Sequence, residues 1–549
     1  MNSAMPDARR LALEEKRGIW TNRVITDYVD RWIADKPDAT ALISFRDEDC
    51  GTTRLSWREL AQNAAAIARK LKACGVTKGD IVSFQLPNSW QFVAVHLACV
   101  RIGAVSNPLM PIFRERELGF MVRHAESKVL IAPSQFRGFD HGALALALQR
   151  DLPALKHVFI VGGEGEHSFE QQMLAGADSI AIEPGTPLEP NDVMQLLFTS
   201  GTTGESKGVL HTSNTLIGTI LQFIARMDMG AREEVVFMPS PLAHQAGFSY
   251  GMTQSFLLGA PLLLTDVWNA ANALDLMEKH GATFTFAATP FLADLANFPG
   301  VEKRALGAFR LFVSSGAPIP PVLVQLAQEK MQMTVSASWG MTECCSATTT
   351  LLSKHKVLES DGCPVPGAEV RVVDGDGKVL PAGEPGALQF RGASLFVGYL
   401  KRPQLYTVDQ EGWFHTGDVA HIDAEGYIRI CGRDKDIIIR GGENIPVVEI
   451  ESTLYMMDKV AEAAIVAMPC ARLSERACAF VTLRPGQSLT LDEMRAHLQA
   501  QGVSKNFWPE RLEIIEKMPW TATGKIQKYV LREMAKGFSA TPTAATVSA

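Results

Sequence analysis

The chain reads as an α/β protein. A large N-terminal domain of doubly wound sheets carries a β-rich subdomain, and a small α+β C-terminal domain follows. Three observations predict this. The 549 residues exceed what one compact core accommodates. Strand-like apolar runs alternate with helical periodicity through the first third, the pattern of parallel strands with crossover helices. Near Gly367 the pattern changes to short strands between turns at Asp374-Gly375-Asp376-Gly377 and Pro381-Ala382-Gly383.

In order, Ser56-Trp57-Arg58-Glu59 is a capping box, with apolar residues at helical spacing to Leu71 and Gly75 as the stop. Ile81 to Leu86 reads as a strand, Trp90 to Ile102 as a helix ended by Gly103, and Ala104 to Ser106 as strand-like. Glu115 to His124 is helical and Lys128 to Ala132 a strand. Val370 to Val373 and Ala387 to Arg391 belong to the β-rich subdomain, about residues 360–432. Tyr427 to Cys431 leads into Gly432-Arg433-Asp434-Lys435-Asp436, a charged segment between two strands. The domain boundary is placed there: a large domain over 1–433, a cap over 434–536 and a disordered Ser/Thr/Ala-rich tail over 537–549. Within the cap, strands are expected near Ala463–Met468, Ala477–Leu483 and Leu512–Ile515. Helices are expected at Val447–Met456, Leu491–Gln501 and Ile526–Ala535.

Composition excludes several classes. A net charge of −7 provides no global basic field for nucleic acid or an acidic membrane. Nine cysteines include no CxxC pair, so zinc-ligand spacing is absent, and an odd count fits a reducing compartment. Met1 to Trp20 has no apolar h-region, and the longest apolar stretch, Phe256 to Leu264, is broken by Gly259 and Pro261. The final Val-Ser-Ala is no peroxisomal tripeptide. A cytoplasmic monomer or homodimer with no integral membrane association is expected.

The strongest local signal is the run from Leu196 to Val209. An apolar strand enters a loop of Thr199, Ser200, Gly201, Thr202, Thr203 and Gly204, followed by Lys207. Glycines let backbone N–H groups converge on an anion, hydroxyls add donors and the lysine adds charge, which suits a triphosphate. It is not a Walker A motif, because Ser206 precedes the lysine and Gly208 follows it. The loop resembles the signature of the adenylate-forming superfamily, which includes acyl-CoA synthetases, peptide-synthetase adenylation domains and beetle luciferases. The usual proline before the lysine is Ser206 here.

Four further segments resemble that family's motifs, in its order. Ser315-Gly316-Ala317 follows an apolar run and looks like the adenine-side loop. Ser338-Trp339-Gly340-Met341-Thr342-Glu343 resembles the aromatic-Gly-x-Thr-Glu motif, with tryptophan in place of tyrosine. The resemblance implies an aromatic at 339 able to stack on adenine, Thr342 donating to the α-phosphate, and Glu343 as a hard oxygen ligand for Mg²⁺. In Trp413-Phe414-His415-Thr416-Gly417-Asp418, Asp418 would accept from the ribose hydroxyls. Arg433 would contact ribose and phosphate, and Lys435 occupies the hinge position. In Thr523-Gly524-Lys525, Lys525 resembles the catalytic lysine, while the family's upstream arginine is Trp520 here.

The implied reaction is formation of an acyl-adenylate from a carboxylic acid and ATP, then transfer to CoA. The cap rotates between the steps to bring Gly441 and Gly442 to the pantetheine arm. Pro241 to Phe248 is expected to line the acyl pocket with Ser315, Gly316 and Ser338, His244 gating it and small Ala246 and Gly247 leaving room. Segments Asn107–Glu115 and Trp508–Leu512 look like the bacterial short- and medium-chain fatty acyl-CoA ligases and cyclohexanecarboxylate-CoA ligase. A medium-chain, alicyclic or aromatic acid is therefore expected, with ATP, Mg²⁺ and CoA. Two other readings stay open: an adenylate former that loads a carrier protein, and a non-catalytic acyl or nucleotide sensor. No acid lies between Pro239 and Leu264, where amino-acid adenylation domains hold the α-amine.

Overall fold

The computed structural model describes residues 6, 8–199, 206–316, 319–353, 356–433, 436, 438–440, 443–470, 473–520 and 526–538. Among these, the strands form sheets of nine, seven, five and four strands, and one hairpin of two. The nine-stranded sheet has a parallel centre in which Phe284–Ala288, Leu311–Ser315 and Thr334–Met341 lie side by side. The seven-stranded sheet sets Ile81–Phe84, Val105–Pro108, Val129–Pro133 and His157–Val161 in parallel. It then turns antiparallel where Val193–Thr199 meets Lys207–Thr212.

Local rules explain the flanking helices. Ser56 Oγ accepts from Glu59 N at 3.2 Å while Glu59 Oε2 accepts from Ser56 N at 2.8 Å, so the predicted box starts helix Trp57–Ala73. Helix Trp90–Ile102 is mostly apolar and ends at Gly103, whose φ of 73° is the left-handed cap that glycine adopts without strain. Its apolar side chains pack within the core cluster it shares with both large sheets. No helix of the described residues is long and apolar enough to cross a membrane.

The β-rich region is an antiparallel sheet of Ala368–Val373, Gly386–Gly392, Phe414–Ile422 and Ile428–Arg433. Its last strand runs through Gly432 and Arg433, which the sequence assigns to the connecting segment. That extension sets Arg433 directly opposite Asp418. In the C-terminal region, strand Val460–Cys470 alternates with the two-residue period of a strand from Ala463 on, after an irregularity between Val460 and Glu462. Ala463 and Ile465 join the cluster under helices Val447–Tyr455 and Leu491–Ala500, whereas Ala464, Val466 and Met468 join the one under helix Lys528–Lys536.

Two expectations need revision. Ile526 is not helical; it bridges Trp520 in antiparallel fashion, and the helix begins at Lys528. Phe538, assigned from sequence to the tail, packs on Phe480 with ring centroids 6.1 Å apart and under the Arg511 guanidinium at 4.0 Å. Residues 539–549 lie outside the described residues.

Candidate active site

Two of the predicted residues, Ser315 and Ser338, lie at the carboxyl ends of parallel strands, where open α/β sheets bind ligands. Ser315 closes one strand and pairs with Ser338 near the end of the next. Ser338 shares a hydroxyl–hydroxyl bond with Ser346, whose N–H donates to the Tyr250 hydroxyl at 2.8 Å. Gly316 follows with φ of 88°. Just beyond Ser338 the pairing with Cys345–Thr349 slips between Trp339 and Gly340. A Cβ at Gly340 would stand 1.9 Å from the Cys345 carbonyl oxygen, so only glycine lets this turn close. Cys345 takes a positive φ of 55° there.

That turn presents Glu343, which is buried. Its Oε1 accepts from the Tyr399 hydroxyl at 2.8 Å and its carbonyl accepts from Phe396 N at 2.8 Å. Burial pushes the Glu343 carboxyl above the usual carboxylate range; the Tyr399 hydrogen bond and the charges of Lys207 and Arg433 oppose the rise. Lys207 opens the strand after the phosphate loop, paired with Thr199, and its ammonium lies 5.1 Å from the centroid of the Tyr399 ring. Tyr399 thus contacts both charged groups. The thiols of Cys344 and Cys345, which follow Glu343, are driven upward by burial, Cys345 to about 12, and so remain protonated and unreactive.

A second cluster centres on Asp418, also buried. Trp339 Nε1 donates to Oδ2 at 2.9 Å and Arg433 Nε meets Oδ1 at 2.7 Å. The tryptophan expected to offer its face to adenine is 8% exposed and packs in the core under the β-rich sheet. Its indole N–H joins the strand before Glu343 to the strand carrying Asp418.

Thr342 is held from behind. Its carbonyl accepts from His211 Nε2 at 2.7 Å, which fixes the proton on that nitrogen and leaves Nδ1 facing the Thr215 hydroxyl at 3.0 Å. Burial lowers the His211 pKa to about 4, so the ring is neutral. His211 and Tyr399 were missed by motif reading. For His211 a signal existed: it is a polar residue inside the otherwise apolar strand run Val209-Leu210-His211.

His244 lies at the entrance to a π-helix, Ala246–Thr253, with Nδ1 accepting from Ala246 N at 3.3 Å. The neighbouring Gln245 donates to Cys345 Sγ at 3.2 Å, tying this segment to the glutamate turn. The expected room at Gly247 is not there. A Cβ at that position would meet the Pro241 carbonyl oxygen at 2.2 Å, so the missing side chain admits backbone and not substrate. Ser200, Gly201, Thr202, Thr203, Gly204, Ala317, Lys435, Gly441, Gly442 and Lys525 lie outside the described residues. Trp520, which flanks the last of these segments, donates from Nε1 to Glu462 Oε1 at 2.9 Å.

Among the described residues no three His, Cys, Asp or Glu side chains group as a metal cage. The Glu343 carboxylate is a hard oxygen ligand, and one such carboxylate fits Mg²⁺ that takes its remaining ligands from phosphate oxygens and water, the usual manner of Mg²⁺ binding.

Comparison with known proteins agrees with this arrangement. The AMP-binding enzyme family model matches residues 29–400 and the AMP-binding enzyme C-terminal domain matches 449–525. The medium-chain fatty-acid–CoA ligase of Escherichia coli (strain K12) is 35% identical over 532 residues, 96% of this chain and 93% of that protein. The salicylyl-CoA synthase / salicylate adenylyltransferase of a Streptomyces species is 31% identical over 539 residues, 95% of each chain. The crystal structure of the anthranilate CoA ligase AuaEII in complex with anthranoyl-AMP superposes with a TM-score of 0.83 at 25% identity, covering 94% of this chain and 98% of that one. With one family model matching well over half of its length and the second following it in order, the chain belongs to the AMP-binding enzyme family, in its branch of adenylate-forming acyl-CoA ligases.

Proposed function

We propose that the protein joins a carboxylic acid to CoA with ATP, by way of an acyl-adenylate, and that the acid is medium-chain fatty, alicyclic or aromatic. The observation that carries the reading is the placement of Lys207, Glu343 and the Trp339–Asp418–Arg433 unit around one strand-end turn. The acid class is supported by the relatives, one named for medium-chain fatty acids and one for salicylate.

A free carboxylate is a poor acyl donor, because its charge repels nucleophiles and oxide is a hopeless leaving group. In the first step its oxygen attacks the α-phosphorus of ATP, the bond to the β-phosphate oxygen breaks, and pyrophosphate leaves. Thr199 to Gly204 with Lys207 hold the triphosphate, Ser315 to Ala317 and Ser338 to Gly340 border the adenine, and Asp418 with Arg433 hold the ribose. Thr342 donates to the α-phosphate. Mg²⁺ bound at Glu343 supplies neutralisation of phosphate charge. Lys525 bridges the carboxylate and phosphate anions. In the second step the cap, residues 434–536, turns about Lys435. Gly441 and Gly442 then pass the pantetheine arm, the CoA sulfur loses its proton and attacks the acyl carbon, and AMP departs. His244 stands at the mouth of the acyl pocket.

The test is an acid panel (hexanoate to dodecanoate, cyclohexanecarboxylate, benzoate and salicylate) scored for CoA-dependent AMP formation. Pyrophosphate release with no CoA consumption would favour a carrier-protein acceptor, and no release with any acid would favour a sensor. On the active acid, Lys525→Ala should slow adenylation about 10²–10³-fold, the effect of losing one preorganised donor. Thioester formation from supplied acyl-adenylate should change far less. Equal damage to both half-reactions would refute the role given to Lys525.

A further inference from the structure

The N-terminal arm, helix Ala8–Arg17 and the run to Trp20, grips a segment far along the chain. Arg10 donates from Nη1 to the Phe396 carbonyl at 2.7 Å and to the Tyr406 hydroxyl at 3.2 Å, and from Nη2 to the Leu395 carbonyl. Its guanidinium stands 5.6 Å from the centroid of Trp20, whose Nε1 donates to the Ala393 carbonyl at 2.9 Å. Arg17 pairs with the buried Glu14 and with Glu369, fixing the helix against the β-rich sheet.

The same short segment supplies the donors that hold the glutamate turn. Ser394 Oγ donates to the Cys344 carbonyl at 2.7 Å, Phe396 N to the Glu343 carbonyl at 2.8 Å, and the Tyr399 hydroxyl to Glu343 Oε1 at 2.8 Å. Residues 393–399 therefore form a strap whose carbonyls are tied to the arm and whose donors are tied to the turn. A planar guanidinium satisfies two successive carbonyls in a fixed fork, a geometry that an ammonium does not reproduce.

We propose that Arg10 is a positioning residue for the first half-reaction: through the strap it holds the metal-binding carboxylate of Glu343 in its working geometry. This rests on the reading that Glu343 takes Mg²⁺. The test uses the full chain with Arg10→Ala, Arg10→Lys, Trp20→Phe and Glu343→Gln. Mn²⁺ binding in the presence of ATP and absence of acid is measured by electron paramagnetic resonance, alongside both half-reactions and the melting temperature. Arg10→Ala should weaken Mn²⁺ binding about tenfold, the effect of losing support behind a metal ligand, and should raise the Mg²⁺ requirement of adenylation by the same factor. Thioester formation from supplied acyl-adenylate should stay within about twofold, since less than a factor of two is below half a kcal/mol. Arg10→Lys and Trp20→Phe should shift Mn²⁺ binding in the same direction by less, and they carry the test if Arg10→Ala does not fold. Unchanged Mn²⁺ binding in the arm variants while Glu343→Gln loses it would overturn the proposal, as would an equal loss in both half-reactions. Unchanged binding in Glu343→Gln would instead bring down the metal reading beneath it.

Discussion

At the scale of single residues, the site is governed by a few contacts in which one atom has no substitute. Gly340 is the sharpest. With the Cys345 carbonyl oxygen 1.9 Å from where a Cβ would sit, Gly340→Ala must displace the turn that carries Glu343. We expect adenylation to fall at least about a hundredfold, the typical result of moving a catalytic group by an ångström. The melting temperature should fall too. Single-turnover pyrophosphate release and calorimetry would check both, and wild-type adenylation in this variant would contradict the account. Lys207 was legible from the composition of its loop, whereas Glu343, Asp418 and Arg433 were legible only through the family motifs they resemble. Tyr399 and His211 were illegible as partners. The contact of Tyr399 with Glu343 spans 56 positions and that of His211 with Thr342 spans 131, and no local rule encodes either. Trp339 was legible as an aromatic, but its hydrogen bond to Asp418 depends on two strands meeting in space.

At the scale of elements, periodicity and punctuation carried most of the reading. The capping box at Ser56, the mostly apolar helix Trp90–Ile102 with its terminal glycine, and the alternating strands of the C-terminal region follow from rules that act within a few residues. The π-helix Ala246–Thr253 escaped, because Gly247 reads as empty space until the Pro241 carbonyl is seen to occupy it. The antiparallel bridge between Trp520 and Ile526 escaped for a related reason: pattern alone made Ile526 helical. This bridge fixes both ends of the segment that contains Lys525, and Glu462 pins the indole. Trp520→Ala should therefore lower the adenylation rate about tenfold, consistent with loss of a supporting hydrogen bond to a charged group. Transfer from supplied acyl-adenylate should be spared, and rapid-quench measurement of the two steps separates the outcomes.

At the scale of the whole molecule, stability is coupled to acidity through histidines sealed in the core. Burial lowers His96 to about 3 and His211 to about 4, against about 6.5 in an unfolded chain. Between the folded and unfolded values the unfolded state binds the extra proton, so stability rises with pH in that window. It is fully present above about pH 6.5 and is lost as pH falls through about 4 for His211 and about 3 for His96, on the order of 3 and 5 kcal/mol respectively. Melting temperatures at pH 7, 6 and 5 should fall steadily, and His96→Gln should flatten the slope. An identical slope in that variant would count against the assignment. Doubly wound sheets, a β-rich subdomain and an α+β C-terminal domain were anticipated, yet the order of strands within each sheet was not, since strand neighbours far apart in sequence are chosen by packing. The C-terminal sheet has one further consequence. Its two faces are each sealed by its own helices, so the unit carries its oil inside itself. Such a body can be lifted and reseated without wetting its interior.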